Sequence, residues 1–597
     1  MSEVWSLNTT LRNPERLESM LRTLSELEGE NFDEAGQEKF FGLQIKKRLY
    51  KPTKSSLSST DLIDIVHNDI TGDDIEDKNV ERILEIRRGT SADGALRGRT
   101  SVGALNRFGL CIALKSHGPV VISKLGKEWL AGDISDEELF LKFFIKWQYP
   151  NPIESGYDDF NIKPFLGVLK VIDAVNDKWK SLGNKPVGIS KDEYAFFLLP
   201  LSKKIDIPNT IESIINFRSA KEQKTGREKK DYIDAYKIKR GREIFGDKSN
   251  LSTKISNLSD YTDSSVRYFR MTGLISLRGN NNYIDISRDK QVQVKSLIEN
   301  IDSASENFQD YNSYFEYLNN QSLPTLPWET EEYLAKISDN LLEVIAEESG
   351  GAISNSEITQ LEKLPSGQKV EELRSKLNTV RTDKLKSLKH NVAELRECID
   401  KLNEITKKNY KTLTTRPSLD FEWYVSRSLM ILNDAVEIRP SYKLGDDGLP
   451  TGFRANVSDI ECFYATFGMT IEVTLMLGRD QWHAEGQPVM RHYRDFEDKS
   501  EHSENYCLFI APILHRDTIN SFWVSNKYEF EGKKQNIIPL TLDQYVNFLE
   551  VALTKIENNQ LDHLTLKSLL SSITGKVEQS SAWSDWLNLF PTLLRTW

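Results

Sequence analysis

A short segment near the C-terminus, SDIECFYATFGMTIEVTLML (458–477), places three acidic side chains within two otherwise apolar strands. Gly468 favours a hairpin, with strands at about 457–464 and 470–477. Because side chains alternate between the faces of a strand, Asp459 and Glu461 share one face, and the turn can bring Glu472 close to Asp459. Two carboxylates that close repel unless a cation lies between them, and hard oxygen ligands select Mg²⁺.

The hairpin therefore predicts a Mg²⁺ site for phosphodiester hydrolysis. An alternative reading is structural, since acidic residues are common on the solvent face of an antiparallel hairpin. The surrounding pattern predicts a helix at 418–433, a strand at 504–514, and a short strand followed by an amphipathic helix at 536–555. The expected order is helix, hairpin, helix or loop, strand, strand, helix.

The bulk composition indicates a packed intracellular protein of several domains. The chain has 597 residues, of which 39% are hydrophobic and 28% charged. Its four cysteines form no CxxC pair, so neither a disulfide framework nor a thiolate zinc site is indicated. The sequence shows no apolar signal segment and no membrane-length apolar run, so we expect a cytoplasmic protein without a membrane partner.

Two windows are basic although the net charge is −11. Residues 80–131 hold nine Lys/Arg against four Asp/Glu, and residues 218–254 hold twelve against six. The pattern at 103–130 predicts a helical turn, a two-stranded hairpin and a helix, and 252–287 predicts a helix that stops at Gly273 before a hairpin with the turn RGNNN. Winged-helix DNA-binding modules have this order of elements.

The middle of the chain reads as a connector. Residues 319–332 are Pro-rich, and 370–410 carry apolar residues at helical spacing with dense charge between them. A helical spacer or short helical hairpin fits better than a coiled coil, because the heptads are irregular. We expect a multidomain α+β protein with a tandem winged-helix-like DNA-recognition region (1–300, subdomains about 1–155 and 156–300), a helical linker (301–410) and a third domain (411–597).

Several segments of the sequence are long and idiosyncratic. They are LRNPERL (11–17), FFIKWQYP (143–150), VRYFRMTGLISLRGNN (266–281), SLPTLPWETEE (322–332), FEWYVSRSLMIL (421–432), the acidic hairpin, EGQPVMRHY (485–493) and YCLFIAP (506–512). In these segments the chain resembles the AlwI-like type IIS restriction endonucleases and the site-specific nicking endonucleases grouped with them. The resemblance implies a C-terminal α/β nuclease domain of the PD-(D/E)xK type and cleavage a few base pairs outside a short asymmetric DNA sequence.

Carried over by this resemblance, the acidic site falls on Glu422, Asp459, Glu472 and Glu485, with His492 close by. Asp459 and Glu472 are then the principal metal ligands, and Glu422 and Glu485 complete the shell or orient water. The sequence departs from the usual ExK pattern, because Thr474 stands where the lysine would be. We expect Glu485 and His492 to take over part of the lysine's role, unless His492 is simply a surface residue.

Candidate DNA contacts come from the two basic windows. The arginines of the glycine-containing segment RRGTSADGALRGR can reach guanine edges in the major groove, because the backbone there is flexible. Alternatively, these arginines contact phosphates or are simply solvated. The dense run of charged side chains at 221–230 is more typical of contacts with the DNA backbone. Tyr268 and Phe269 are more typical of core residues than of residues that stack on bases. The predicted DNA-binding residues are Arg87, Arg88, Arg97, Arg99, Arg107, Lys224, Arg227, Lys229, Lys230, Arg267 and Arg270.

Two functional alternatives stay open at this point. The leading one is a Mg²⁺-dependent endonuclease that acts on double-stranded DNA, and the other is a sequence-specific DNA-binding protein or specificity subunit whose nuclease domain is inactive. A single catalytic centre hydrolyses one strand at a time. Nicking alone, a homodimer at cleavage and a small catalytic subunit are all compatible with the chain, and the family implies a cognate methyltransferase in the host.

Overall fold

The computed structural model describes the chain from residue 3 to residue 597. The description leaves out residues 8–10, 13, 15, 58, 69–73, 89–92, 279–281, 327, 329, 352, 386–387, 409–416, 433–434 and 453–457. Within the described ranges, no helix combines the length and the apolar character needed to cross a membrane. The four cysteines are buried free thiols.

The described secondary structure alternates long helices with short strands. The helices in chain order are α1 (Arg16–Ser25), α2 (Glu34–Lys46), α3 (Thr60–Ile63), α4 (Asp77–Arg87), α5 (Gly94–Arg107), α6 (Lys124–Ala131), α7 (Asp136–Lys146), α8 (Pro164–Ser181), α9 (Lys191–Glu193), α10 (Ile207–Glu222), α11 (Gly226–Phe245), α12 (Leu251–Arg270), α13 (Gln291–Asn300), α14 (Tyr311–Asn319), α15 (Glu331–Ser349), α16 (Asn355–Leu361), α17 (Ser366–Leu385), α18 (Val392–Thr406), α19 (Pro417–Ile431), α20 (Gly478–Gln481), α21 (Gln487–Lys499), α22 (Arg516–Lys527), α23 (Leu542–Glu557), α24 (His563–Gly575), α25 (Trp583–Leu587) and α26 (Phe590–Thr596). The strands are β1 (Cys111–Ile112), β2 (Val121–Ile122), β3 (Ile189–Ser190), β4 (Ile275–Arg278), β5 (Tyr283–Ile286), β6 (Glu437–Pro440), β7 (Lys443–Leu444), β8 (Pro450–Gly452), β9 (Ile460–Phe463), β10 (Gly468–Val473), β11 (Asn505–Ala511) and β12 (Ile537–Thr541).

The chain divides into two compact units, each assembled from separate segments. The first unit comprises Met1–Asp33, Arg99–Arg381 and Leu444–Gly452. The second comprises Glu34–Gly98, Thr382–Lys443 and Phe453–Trp597. The multidomain α+β class expected from the sequence is confirmed, whereas the expected boundaries at 300 and 410 stay predictions.

In the first unit, both predicted hairpins are present. β1 pairs antiparallel with β2, and α6 follows. β4 pairs antiparallel with β5 after α12, and β3 adds a third strand beside β5. Gly273 has φ +68° just after α12, the left-handed conformation that favours glycine at a helix end. The turn predicted at 278–282 lies partly outside the described residues, and the winged-helix assignment stays a prediction.

The core of the first unit is aromatic. Tyr268 and Phe269 are both 1% exposed, as the sequence predicts for core residues. Phe269 packs edge-on against Phe144, and Tyr268 stacks on Phe108. Farther along, α15 and α17 share an apolar core, and the helical spacer or short helical hairpin expected at 370–410 stays a prediction. The residues of that core are Ile337, Leu341, Val344, Ile345, Ile353, Val370, Leu373 and Leu377.

The second unit is built on a five-stranded mixed sheet. Its strand order is β12-β11-β10-β9-β6. β10 pairs parallel with β11, and β11 pairs parallel with β12. The pairs β9–β10 and β6–β9 are antiparallel. Parallel neighbours need crossover connections, which α21 and α22 provide. β11 is buried along its whole length, as its continuous apolar sequence NYCLFIA indicates. The predicted helix, hairpin, two later strands and final helix are present as α19, β9 with β10, β11, β12 and α23. The prediction missed β6, which belongs to the same sheet, and α22, which separates β11 from β12.

Candidate active site

The acidic hairpin lies at the centre of the mixed sheet. Ile460 pairs with Ile471 across β9 and β10, so Asp459, the residue before β9, stands opposite Glu472. The Asp459 carboxylate accepts a hydrogen bond from the backbone N–H of Val473 at 2.7 Å, and its carbonyl accepts one from Ser441 at 2.7 Å. The sheet therefore fixes both acidic residues on one face, as predicted.

The electrostatics of this pair are unfavourable without a cation. Burial and the charge of Glu472 raise the pKa of Asp459 well above its ordinary value. Burial and the charge of Glu485 raise the pKa of Glu472 in the same direction. Glu472 is 4% exposed, so water cannot screen this repulsion. A bound cation or a retained proton has to compensate for it.

His492 completes one side of the pair. Its Nδ1 lies 3.0 Å from Oε1 of Glu472, and the side chain is partly buried rather than on the open surface. The ring projects from α21, whose apolar face, including Val489 and Tyr493, is buried. Burial and then the charge of Arg491 lower the pKa of His492 below 6.5. The imidazole is therefore neutral near pH 7 and available to hold or accept a proton.

Glu485 reaches the site from a widened helical turn. Residues 482–486 form a π-helical turn between α20 and α21, a local geometry that is frequent at functional sites. A Cβ on Gly486 would come within 2.9 Å of the Trp482 ring, so the turn depends on glycine there. The carboxylate of Glu485 contributes to the raised pKa of both Asp459 and Glu472, so its charge acts on the pair.

Glu422 is connected to the site through Ser441. It is 4% exposed on α19, and its Oε2 accepts a hydrogen bond from the Ser441 hydroxyl at 3.4 Å. Since the Ser441 N–H also donates to the carbonyl of Asp459, this serine joins the two acidic residues. Sequence reasoning missed Ser441, because a lone serine after a strand carries no recognisable signal.

Thr474 has a structural role at the end of β10. Its hydroxyl accepts a hydrogen bond from the N–H of Met476 at 3.1 Å, and its own N–H donates to the carbonyl of Ile510. The residue is 6% exposed. The position usually held by lysine therefore shapes the loop after the strand.

A buried glutamine, which the sequence analysis missed, connects the loops that follow β10 and β11. Gln481 is fully buried, and its Nε2 donates to the carbonyls of Met476 at 3.0 Å and Ile513 at 2.8 Å. Its Oε1 accepts from the N–H of His515 at 2.7 Å. All three hydrogen bonds link the loops that follow β10 and β11, so Gln481 holds together the C-terminal ends of these two strands, near Glu472.

The donor set fits a hard divalent cation with few protein ligands. In the part of the chain that the structure describes, no group of three or more His, Cys, Asp or Glu side chains is arranged to hold a metal ion. Mg²⁺ is usually bound through one or two carboxylates and keeps several waters or substrate phosphates as its other ligands. The opposed pair Asp459 and Glu472 matches that requirement.

Comparison with known sequence families identifies the chain. Residues 106–548 match the model of the AlwI restriction endonuclease family. The chain belongs to this family. The resemblance deduced from the sequence is thereby confirmed, and the protein is a DNA-binding nuclease. A comparison with curated protein sequences found no significant match.

Two solved restriction endonucleases resemble this AlwI-family protein weakly. The small subunit of the heterodimeric restriction endonuclease R.BspD6I is 25% identical, with a TM-score of 0.28, over 33% of this chain and 98% of that one. Restriction endonuclease FokI is 10% identical, with a TM-score of 0.22, over 93% of this chain and 97% of that one. Both TM-scores are too low to carry an argument about this protein.

The first basic segment of the AlwI-family chain is helical where it is described. Residues 89–92 lie outside the described residues, but 94–107 form α5, so Arg97 and Arg99 project from a helix and not from the flexible backbone expected from its glycines. Gly98 is required because its backbone approaches the Gln37 carbonyl so closely that a Cβ would lie 1.9 Å away. Arg99 is exposed.

The other arginines of this window have partners within the protein. Arg87 is 4% exposed, and its guanidinium donates to Ser56 and Tyr50 at 3.3 Å. Arg88 pairs with Glu38 and Glu81, and Arg107 pairs with Glu154. Their DNA contacts stay predictions.

The second group of predicted DNA contacts lies on or beside α11 and α12. Lys224, Arg227 and Lys229 form ion pairs with neighbouring acidic residues on the surface, at 2.7, 3.8 and 3.1 Å respectively, and Lys230 is exposed. Exposed pairs of this kind are weak and can exchange for phosphate. On α12, Arg267 pairs with Asp263 at 3.0 Å and Arg270 pairs with Asp447 at 3.0 Å.

Proposed function

We propose that this AlwI-family nuclease is a type IIS endonuclease that binds a short asymmetric duplex sequence and hydrolyses phosphodiester bonds a few base pairs outside it. The observation that carries the proposal is the opposed pair Asp459 and Glu472 on the mixed sheet, with Glu485 and His492 beside it. Three carboxylates without a compensating cation are costly to stability, which is typical of sites built for function.

The proposed cofactor is Mg²⁺, held by Asp459 and Glu472, with Glu422 and Glu485 completing its shell or orienting water. When bound, the ion would polarise the phosphate and lower the pKa of the attacking water. His492, neutral and hydrogen-bonded to Glu472, holds or passes a proton at its imidazole. Together, Glu485 and His492 supply part of what the usual lysine does in related sites.

We propose that the two basic windows of the chain, residues 80–131 and 218–254, contact the DNA and recognise its sequence. The exposed Arg99 and Lys230 suit phosphate or base contacts without rearrangement, and the ion-paired residues suit contacts that exchange an internal carboxylate for phosphate. The two helix-and-hairpin modules are proposed as winged-helix-like readers. A cognate methyltransferase in the host belongs to the same proposal.

One catalytic pair of this kind implies one strand cut per centre. A double-strand break then needs a second centre, from a homodimer at cleavage or from a small catalytic subunit, and without one the protein nicks.

The test is strand-resolved sequencing of the products from supercoiled plasmid incubated with Mg²⁺ over a range of protein concentrations. We expect cuts at a fixed offset from one asymmetric sequence and their loss in Glu472→Gln. The matched control is Glu578→Gln, an exposed carboxylate of the same unit that pairs with Lys534. Sequence-specific binding without any cutting would support the alternative, a DNA-binding specificity protein with an inactive nuclease domain.

A further inference from the structure

A short hairpin of the first unit interrupts the chain between two strands of the nuclease sheet. The hairpin consists of β7 and β8, which pair with each other between β6 and β9 in the sequence. Residues 444–452 belong to the first unit, whereas β6 and β9 belong to the second. We call residues 444–452 the inserted hairpin. An isolated two-stranded hairpin is only marginally stable in water, so its conformation depends on the groups that hold it.

An aspartate in the turn anchors the inserted hairpin to a neighbouring arginine. Asp446 accepts hydrogen bonds from both terminal nitrogens of Arg278, at 2.7 and 2.6 Å, and one from the backbone N–H of Arg288 at 2.9 Å. The side chain of Asp446 is fully buried. Burial alone would raise the pKa of this carboxyl, but the hydrogen bonds and the charge of Arg278 lower it below its ordinary value. The two side chains therefore form a bidentate pair of ionised groups, which is the stronger kind of ion pair.

The next residue, Asp447, provides a second anchor. Its Oδ2 accepts hydrogen bonds from Nη1 of Arg270 at 3.0 Å and from the backbone N–H of Leu277 at 2.8 Å. Its Oδ1 accepts one from the backbone N–H of Leu449 at 3.0 Å, inside the hairpin itself. One buried carboxylate thus closes the turn of the inserted hairpin and attaches this turn to α12 and β4. Because the pair is buried, salt screens it only slightly.

The base of the inserted hairpin is also held within the first unit. The backbone N–H of Leu444 donates to the side-chain oxygen of Asn378 at 2.9 Å, and the carbonyl of Leu444 accepts from Arg381 at 2.6 Å. Both partners lie on α17. The inserted hairpin is therefore fixed at its turn and at its base by groups of the first unit.

The chain has almost no slack between this base and the acidic site. Ser441 donates to the carbonyl of Asp459, and Tyr442 is fully buried in the second unit, where its hydroxyl is hydrogen-bonded. Only Lys443 stands between Tyr442, which is fixed in the second unit, and Leu444, which is fixed in the first. Since one residue spans at most about 3.6 Å, a larger displacement of the inserted hairpin has to move the chain beside Asp459.

We propose that Asp446 and Asp447 are positioning residues that fix the distance between the recognised DNA sequence and the phosphate that is cut. They attach the segment that leads to Asp459 to α12 and β4, the helix and hairpin proposed as a DNA reader. One base-pair step is about 3.4 Å along the DNA axis, so loosening these anchors by that distance is enough to move the cut to a neighbouring phosphate. The fixed distance rests on the proposed function, whereas the anchoring of the inserted hairpin does not.

The test is strand-resolved sequencing of the products from supercoiled plasmid incubated with Mg²⁺, for the wild type and for Asp446→Asn. Asparagine keeps the size of the side chain but removes the charge that pairs with Arg278. We expect the recognised sequence to stay the same and the cuts to spread by one or more phosphates to either side of the single position cut by the wild type.

The matched control is Glu193→Gln, which removes the charge from another buried bidentate pair of the first unit. Glu193 accepts hydrogen bonds from Arg218 at 3.0 and 2.6 Å, and neither residue belongs to the inserted hairpin or contacts it through these bonds. The melting temperature should fall in both variants, because each leaves a buried arginine without its charged partner. Only Asp446→Asn should spread the cuts, so the position of the cut separates a positioning role from a general loss of stability.

A second variant keeps the test decisive if Asp446→Asn does not fold. Asp447→Asn removes the charge that pairs with Arg270 but keeps an oxygen that can accept from the Leu277 N–H, and it should spread the cuts in the same way. A single unchanged cut position in every folded aspartate variant overturns the positioning role, as does an equal spread in Glu193→Gln. A wild-type protein whose cuts lie at no fixed distance from any sequence overturns the proposed function and the positioning role together.

Discussion

Replacing Asp459 by asparagine should make the metal-free protein more stable and the nuclease inactive. Asparagine keeps an oxygen that can accept the hydrogen bond from the Val473 N–H, now 2.7 Å from Asp459, but it removes one charge of the repelling pair. The change therefore separates charge from geometry.

The magnitude follows from the position of the pair. Directly opposed residues on antiparallel strands have Cβ atoms about 5 Å apart, and two unit charges at about 5 Å in an effective dielectric of about 20 repel by about 3 kcal/mol. A carboxyl can escape by keeping a proton, which costs about 1.4 kcal/mol for each pH unit above its ordinary pKa of 3.8. The gain in Asp459→Asn is thus bounded at about 4 kcal/mol at neutral pH.

The pH dependence has a definite sign. Because the folded-state pKa of Asp459 is raised above its unfolded value, its contribution is fully present at low pH and is lost as pH rises through the folded pKa. The stability of the wild-type protein relative to Asp459→Asn should therefore fall from about pH 4 upward.

The assay is equilibrium unfolding in urea at about pH 5 and about pH 8, with EDTA and then with Mg²⁺. We expect the advantage of Asp459→Asn to grow with pH in EDTA and to shrink when Mg²⁺ stabilises the wild-type protein. Asp498→Asn, which removes an exposed charge, is the control and should show neither effect. A variant that is less stable than wild type at both pH values would refute the reasoning.

Three other expectations follow. His492→Ala should lower the single-turnover cleavage rate by about 100-fold near pH 8, where the imidazole is neutral, and should flatten the acid side of the pH–rate profile; an unchanged profile removes His492 from the mechanism. Burial and then the charge of Lys142 lower the pKa of Lys146 to about 7, so the unfolded chain binds more protons than the folded protein above pH 7. The stability of the wild type relative to Lys146→Met, measured by urea unfolding, should therefore rise by about 2–3 kcal/mol between about pH 7 and about pH 9. Arg218→Met should cost about 3–5 kcal/mol, because Glu193, paired at 2.6 Å, is left buried and charged; adding Glu193→Gln should recover much of this loss in the same measurement.

Local patterns explain which parts of the fold and site could be predicted from the sequence. The alternation of side chains along the hairpin and the glycine between its strands predict that Asp459 and Glu472 lie opposite each other, because alternation and a tight turn set the register. Glu485 and His492 came only from the family resemblance, because no spacing rule connects a strand to a widened helical turn ten or more residues later.

Features made by long-range packing could not be predicted. Ser441 and Gln481 are single polar residues whose importance depends on which loops surround them. Arg87 is predicted as a DNA contact from its glycine-containing segment, and the sequence gives no sign that its guanidinium lies over the rings of Phe41 and Tyr50.

The second unit is assembled from separate segments of the chain, and this has a practical consequence for protein engineering. Its segments 34–98, 382–443 and 453–597 are interleaved with those of the first unit. A cleavage module transplanted onto a foreign DNA reader as a single C-terminal piece from residue 411 would leave behind α2 to α4, with their apolar core of Phe41, Ile45, Leu84 and their neighbours, and α18. A portable cutter from this chain therefore needs a redesigned connectivity that carries the early segment along.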